Sequence, residues 1–189
     1  MKLLLTAFDP FGGDKVNPAL EAVRLVSEKA GNVEVVKLEV PNRLPQIHRN
    51  RSHCHCKKKK SGRSALHRPG RRTYDITPER VAINLDDARI KDNEGNQPID
   101  VPIFEDGAPC FILLLFQLRL WYRICEMPDF LPAFPTLQEP FVCNHLMYGV
   151  LYTLAKSYPG VRGGFMHVPF IPSQVVNRPS VPSMNLQDI

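Results

Sequence analysis

At 189 residues the chain has the length of one domain, and a net charge of +5 spread over its surface would suggest a nucleic-acid or membrane partner. The charge is not spread: eleven of the 24 Lys and Arg lie between Asn42 and Tyr74, where there is no acid, and 13 basic residues face 19 acidic ones elsewhere. Five cysteines, an odd number without a framework spacing, argue against a secreted disulfide scaffold. No apolar run reaches the roughly 18 residues of a membrane span, so the expectation is a cytoplasmic protein with neither nucleic acid nor membrane as partner.

Residues 2–7 predict a strand, ended by the loop signals of Asp9-Pro10-Phe11-Gly12-Gly13. Asn17-Pro18 supplies an N-cap and a proline at the first helical position. Leu20, Val23 and Val26 continue a helix that Gly31 is expected to stop. Val33 to Val40 reads as a second strand. Strand, loop, helix and strand at this spacing predict an α/β fold: one domain, a twisted, mostly parallel sheet with helices on both faces.

Beyond Pro41 the pattern breaks, and Asn42 to Thr73 has neither a helical nor a strand period. Ile76 to Asn84 reads as a turn into a strand, and Gly95-Asn96-Gln97-Pro98 as a loop. A second irregular stretch runs from 108 to 140, with prolines at 128, 132, 135 and 140. Phe141 to Ala155 looks helical, Gly160 to Gly164 turns the chain, and Phe165 to Phe170 is a short strand.

Cys143 opens the predicted helix, where unpaired backbone N–H groups favour a thiolate, and His167 sits on a strand of the kind that presents catalytic groups in α/β sheets. Taken singly, such a Cys is more often a small buried apolar residue, and such a His is usually a satisfied core residue. His145 is a rival base, but two residues from Cys143 at a helix start it is expected to point elsewhere.

The words Ala7-Phe8-Asp9-Pro10-Phe11-Gly12-Gly13, Asn17-Pro18, Ile76 through Asn84, Asp87-Ala88-Arg89-Ile90, Asp92-Asn93-Glu94-Gly95, Phe141-Val142-Cys143-Asn144-His145 and Gly164 through Pro169 together resemble the pyroglutamyl peptidase I family, in family order. The resemblance implies Cys143 as nucleophile, His167 as general base and Glu79 as the carboxylate that fixes the imidazole tautomer. It further implies Phe8 and Phe11 flanking a lactam ring, Asn17 near that pocket, Arg89 near the oxyanion, and Phe141 and Val142 lining the substrate site. The implied reaction removes an N-terminal pyroglutamyl residue from peptides through an acyl-enzyme. No metal or cofactor takes part, and the implied assembly is a homotetramer.

Two segments of the single 1–189 peptidase domain depart from the family: residues 42–74 and 108–140. Where the resemblance expects Gly-Gln-Ala-Gly-Gly-Arg, the chain has Arg68-Pro69-Gly70-Arg71-Arg72-Thr73. One legal coding of that stretch, CGG CCA GGC AGG AGG ACG T, reads as the expected word when shifted by one base. Leu114 through Tyr122 likewise converts to Ser-Thr-Leu-Pro-Ile-Lys-Ala-Met-Val. Both segments therefore read as out-of-frame translations, and the family's C-terminal helix is expected to be missing after Ile189. The alternatives are a homologue left inactive or misfolded by those segments, or a nucleic-acid- or metal-binding protein built on His53-Cys54-His55-Cys56 and Lys57 to Lys60. Adjacent ligands close a tetrahedral zinc site poorly, which counts against the last.

Overall fold

The computed structural model describes residues 1–10, 13–42, 75–88, 91–112 and 142–189, together with the backbone of 63–69. Among these lie a six-stranded sheet, a two-stranded sheet and three helices. In chain order they are β1 (Lys2–Phe8), α1 (Pro18–Leu25), β2 (Lys29–Ala30), β3 (Val33–Val40), β4 (Arg63–Pro69), β5 (Thr77–Glu79), β6 (Val81–Ile83), β7 (Cys110–Ile112), α2 (Val142–Ser157), β8 (Arg162–Val168) and α3 (Pro172–Val175). The large sheet has the order β2-β3-β1-β4-β8-β5. Its four inner strands are parallel, and the short edge strands β2 and β5 run antiparallel.

The two faces of the sheet carry different helices, as the alternation of side chains along β1 requires. Leu5 and Ala7 share a buried cluster with Ala19, Leu20 and Val23 of α1, and with Val35 and Val168. Phe8 belongs to the opposite cluster, with Phe165 and with Val142, Leu146, Met147 and Tyr148 of α2. β1 is thus covered on both sides, and Leu4 through Phe8 are all buried. That explains its near-continuous apolar run, the pattern of a central parallel strand.

α1 begins where expected. The Asn17 side chain accepts from the N–H of Ala19, and Pro18 occupies the first turn, where its missing N–H leaves nothing unpaired. It ends earlier than expected, at Leu25, with Val26 already outside the helix and 38 % exposed. Gly31, at a φ of +57°, instead makes the tight turn joining β2 to β3, a conformation that glycine adopts without steric cost.

Three other expectations are corrected. Ile76 to Asn84 is not one strand: β5 joins the large sheet and β6 pairs with β7 in the small one, with Arg80 between them. The strand expected from Phe165 starts at Arg162, where its ladder with β4 begins opposite Arg63; Gly163 gives α2 room to approach, since a Cβ there would stand 2.7 Å from Leu154 Cδ1. The irregular 42–73 stretch contains β4, which pairs in parallel with β1 on one side and β8 on the other. Its backbone takes hydrogen bonds from both neighbours, and that pairing does not depend on a side-chain period. The His-Cys-His-Cys and lysine runs and residues 113–140 lie outside the described residues.

Candidate active site

β5 and β8 pair antiparallel with Thr77 opposite His167 and Glu79 opposite Phe165. Residues directly opposed or diagonal by two share a face, so the pairing puts Glu79 and His167 on one side of the sheet. Their side chains meet: Glu79 Oε2 lies 3.3 Å from His167 Nε2. The other carboxylate oxygen of Glu79 accepts from the backbone N–H of Arg80 at 2.9 Å, which fixes the rotation of the group. A carboxylate only accepts, so Nε2 carries the proton in this arrangement. His167 is 1 % exposed, and its Nδ1 has no hydrogen-bond partner among the described residues. The Phe165 ring, 5.0 Å away and tilted at 55°, walls one side of the imidazole.

The same face of β8 is covered by α2, which runs against it. Gly163 lies under Leu154, with Val150 and Leu151 nearby, and Phe165 clusters with Leu146, Met147 and Val142. Two residues of strand advance about 6.6 Å, and four residues of helix about 6 Å. Each step from 163 to 165 to 167 therefore moves about one turn toward the start of α2. His167 thus lies toward the N-terminal end of α2, whose first turn holds Cys143. Cys143 is half-buried and packs against the cluster containing Phe8, Val142 and Phe165.

His145 is fully buried, and its Nδ1 lies 2.6 Å from Asp86 Oδ2. Its side chain is directed at that carboxylate. Val142 is 1 % exposed, as is Phe8 at the end of β1; both are core residues of the wall beneath Cys143. Asn17 spends its side chain on the chain itself. Besides capping α1, it donates to the carbonyls of Phe8 (2.8 Å) and Asp9 (3.4 Å), and so ties the end of β1 to the start of the helix. Phe11, Arg89 and Phe141 lie outside the described residues.

Two groups of functional interest carried no role in the sequence. Asp92 accepts from the N–H groups of Glu94 and Asn96, each at 2.8 Å, and from the Asn96 amide at 2.9 Å. The loop so shaped places Asn93 to donate to Pro10 O at 3.3 Å, while Asn42 N donates to Asp9 Oδ1 at 2.7 Å. These contacts hold the Asp9-Pro10 bend at the C-terminal end of β1. The second group is Asn144, whose side chain bonds to Ile83 and Leu85. The Asp-Asn-Glu-Gly and Cys-Asn-His words signalled both positions, but their partners are distant in sequence.

A hollow bounded by Leu151, Leu154, Tyr158, Arg162 and Gly163 lies at the N-terminal end of β8, away from His167. Among the described residues, no helix is long and apolar enough to cross a membrane.

Comparison with known proteins finds relatives over the whole chain. The sequence profile described as pyroglutamyl peptidase matches residues 1–189. The chain is 45 % identical over 190 residues to the pyrrolidone-carboxylate peptidase of Clostridium botulinum, covering all of this chain and 88 % of that protein. The Staphylococcus carnosus enzyme of the same name is 46 % identical over 191 residues, with the same coverage. The crystal structure of pyroglutamyl peptidase I from Bacillus amyloliquefaciens superposes with a TM-score of 0.85 at 37 % identity, covering 99 % of this chain and 88 % of that one. The sheet order, the two covering helices and these likenesses lead to one conclusion: the chain belongs to the pyroglutamyl peptidase family.

Proposed function

We infer that this protein is a cysteine exopeptidase that removes an N-terminal pyroglutamyl residue from peptides, with Cys143, His167 and Glu79 as its catalytic residues. The observation that carries the reading is the state of the imidazole. Nε2 is engaged by Glu79, and Nδ1 is buried with no partner among the described residues, which leaves it available to a thiol.

The chemistry follows from that arrangement. Nδ1 takes the thiol proton, and the charge that develops on the ring is balanced by Glu79 through the Nε2–H bond. The thiolate attacks the pyroglutamyl carbonyl carbon, and the C–N bond breaks as Nδ1–H protonates the departing amine. A water deprotonated by His167 then cleaves the thioester and releases pyroglutamate. The N–H groups at the start of α2 supply positive potential near the thiolate and the developing oxyanion. The family resemblance assigns Arg89 to that oxyanion. It assigns Phe8, Phe11, Asn17, Phe141 and Val142 to the pocket for the uncharged lactam. No metal or cofactor enters these steps.

Hydrolysis of a pyroglutamyl chromogenic amide tests the reading. Activity abolished by thiol alkylation and by Cys143→Ala supports it, and turnover that survives either refutes it. The same reading carries a cytoplasmic homotetramer, which light scattering on the purified protein checks for assembly and cell fractionation for location. It also takes residues 42–74 and 108–140 as out-of-frame translations within the 1–189 domain. A peptide mass map of the natural protein that reproduces both segments as printed would overturn that part.

A further inference from the structure

We propose that Asn144, together with the Asp86–His145 pair, is a positioning device that fixes Cys143 relative to His167; the proposal rests on the reading of Cys143 as the nucleophile. Asn144 follows Cys143 directly and uses its whole amide. Its Oδ1 accepts from Ile83 N at 2.8 Å, and its Nδ2 donates to Ile83 O at 2.9 Å and to Leu85 O at 2.8 Å. One residue on, His145 donates from Nδ1 to Asp86 at 2.6 Å, with both residues buried. The first turn of α2 is thus held by its own side chains to a three-residue stretch of backbone and one carboxylate.

That stretch is not an arbitrary anchor, because residues 79–86 also carry the other half of the site. Glu79 lies in β5, paired with β8 and bonded to His167. Four residues later Ile83 ends β6, and Leu85 and Asp86 follow. The far side of this segment is fixed by β7, with Ile83 opposite Cys110, by Asn84 N donating to Pro109 O at 2.9 Å, and by the bridge of Asp86 to Val101. One short segment therefore holds the base through Glu79 at one end and the nucleophile's turn through Asn144 and His145 at the other. The separation of Sγ and Nδ1 is set by that segment as well as by α2–β8 packing. Neither Asn144 nor His145 needs to touch substrate for this role.

A loosened turn moves the thiol away from the imidazole and from the helix N–H groups that favour its ionisation. The decisive readout is the pH profile of Cys143 alkylation by iodoacetamide, followed on the peptide that carries it, which requires no turnover. In Asn144→Ala and Asp86→Ala the profile should move toward the ordinary thiol value of about 8.5, with a rate at neutral pH lower by about tenfold. For the pyroglutamyl amide, kcat should fall by about 10- to 100-fold with KM within about twofold, as a displaced reacting group requires. Asp86→Asn, which still accepts from Nδ1–H, should recover most of the loss.

Leu154→Ala is the control for lowered stability, since it opens the α2–β8 contact at the far end of the helix. If Asn144→Ala does not fold, Asn144→Asp, which keeps the acceptor but loses both donors, takes its place. An alkylation profile unchanged from wild type, or a shift reproduced by Leu154→Ala, overturns the proposal. A wild-type protein that alkylates at Cys143 with a depressed profile yet cleaves no pyroglutamyl amide would contradict the substrate assignment alone.

Discussion

Glu79→Gln separates an orienting carboxylate from a charge that merely sits nearby. Both carboxylate oxygens are used as acceptors, Oε1 by Arg80 N–H at 2.9 Å and Oε2 by His167 Nε2 at 3.3 Å. An amide has one oxygen, so one of those two donors must face an NH2 group. If the NH2 turns to Nε2, the imidazole proton is driven to Nδ1, the atom that must accept the thiol proton. If it turns to Arg80, a partly buried N–H loses its acceptor, at about 1–3 kcal/mol. At 3.3 Å the His167 contact is longer than the roughly 2.7–2.9 Å of the strongest charge-assisted bonds, so its removal belongs in the middle of the range rather than the top. At about 1.4 kcal/mol per tenfold, a loss of about 2 kcal/mol lowers kcat/KM by about 30-fold, carried by kcat, with KM little changed. Steady-state hydrolysis of a pyroglutamyl amide measures it. A Glu79→Gln enzyme within about threefold of wild type would show that the carboxylate does not govern the tautomer.

Burial raises the Tyr148 phenol pKa above its ordinary value, and its hydroxyl donates to the carbonyl of Ala108. The stability linked to it is fully present below about pH 10 and is lost as pH rises through the higher folded value, because the unfolded chain ionises first. Tyr148→Phe should cost about 1 kcal/mol at neutral pH by urea unfolding, with the gap to wild type closing in alkali; a gap that widens with pH contradicts the assignment. Asn17→Ala removes the α1 cap and the donor to Phe8 O, and should lower stability by about 2 kcal/mol. Asn17→Asp keeps the cap and should lose less, and equal unfolding midpoints for all three proteins would refute the double role.

The elements legible in sequence were those whose signals are local. β1 announced itself by an apolar run, β3 by the mostly two-residue spacing of Val33, Val35, Leu38 and Val40, α1 by Asn17-Pro18, and α2 by Leu146, Val150, Leu151 and Leu154 on one face. β4 was not legible, since Arg-Ser-Ala-Leu-His-Arg-Pro has no strand period and its place is set by β1 and β8. The break at Arg80 was hidden for a related reason: β5 and β6 are contiguous in sequence and join different sheets. Glu79, Cys143 and His167 could be named from family words, whereas the Glu79–His167 contact spans 88 residues and arises only from β5–β8 register. Asn144 and Asp86 were unreadable as a clamp because their partners lie about 60 residues away.

The most direct test of the central claim is acid quenching during turnover, followed by mass mapping of the protein. Excess pyroglutamyl amide mixed with enzyme and quenched before steady state should leave one pyroglutamyl acyl group as an acid-stable thioester on the peptide containing Cys143. The Cys143→Ala protein should carry none. An acyl group on another residue, or continued turnover with no acyl group on Cys143, would contradict the account.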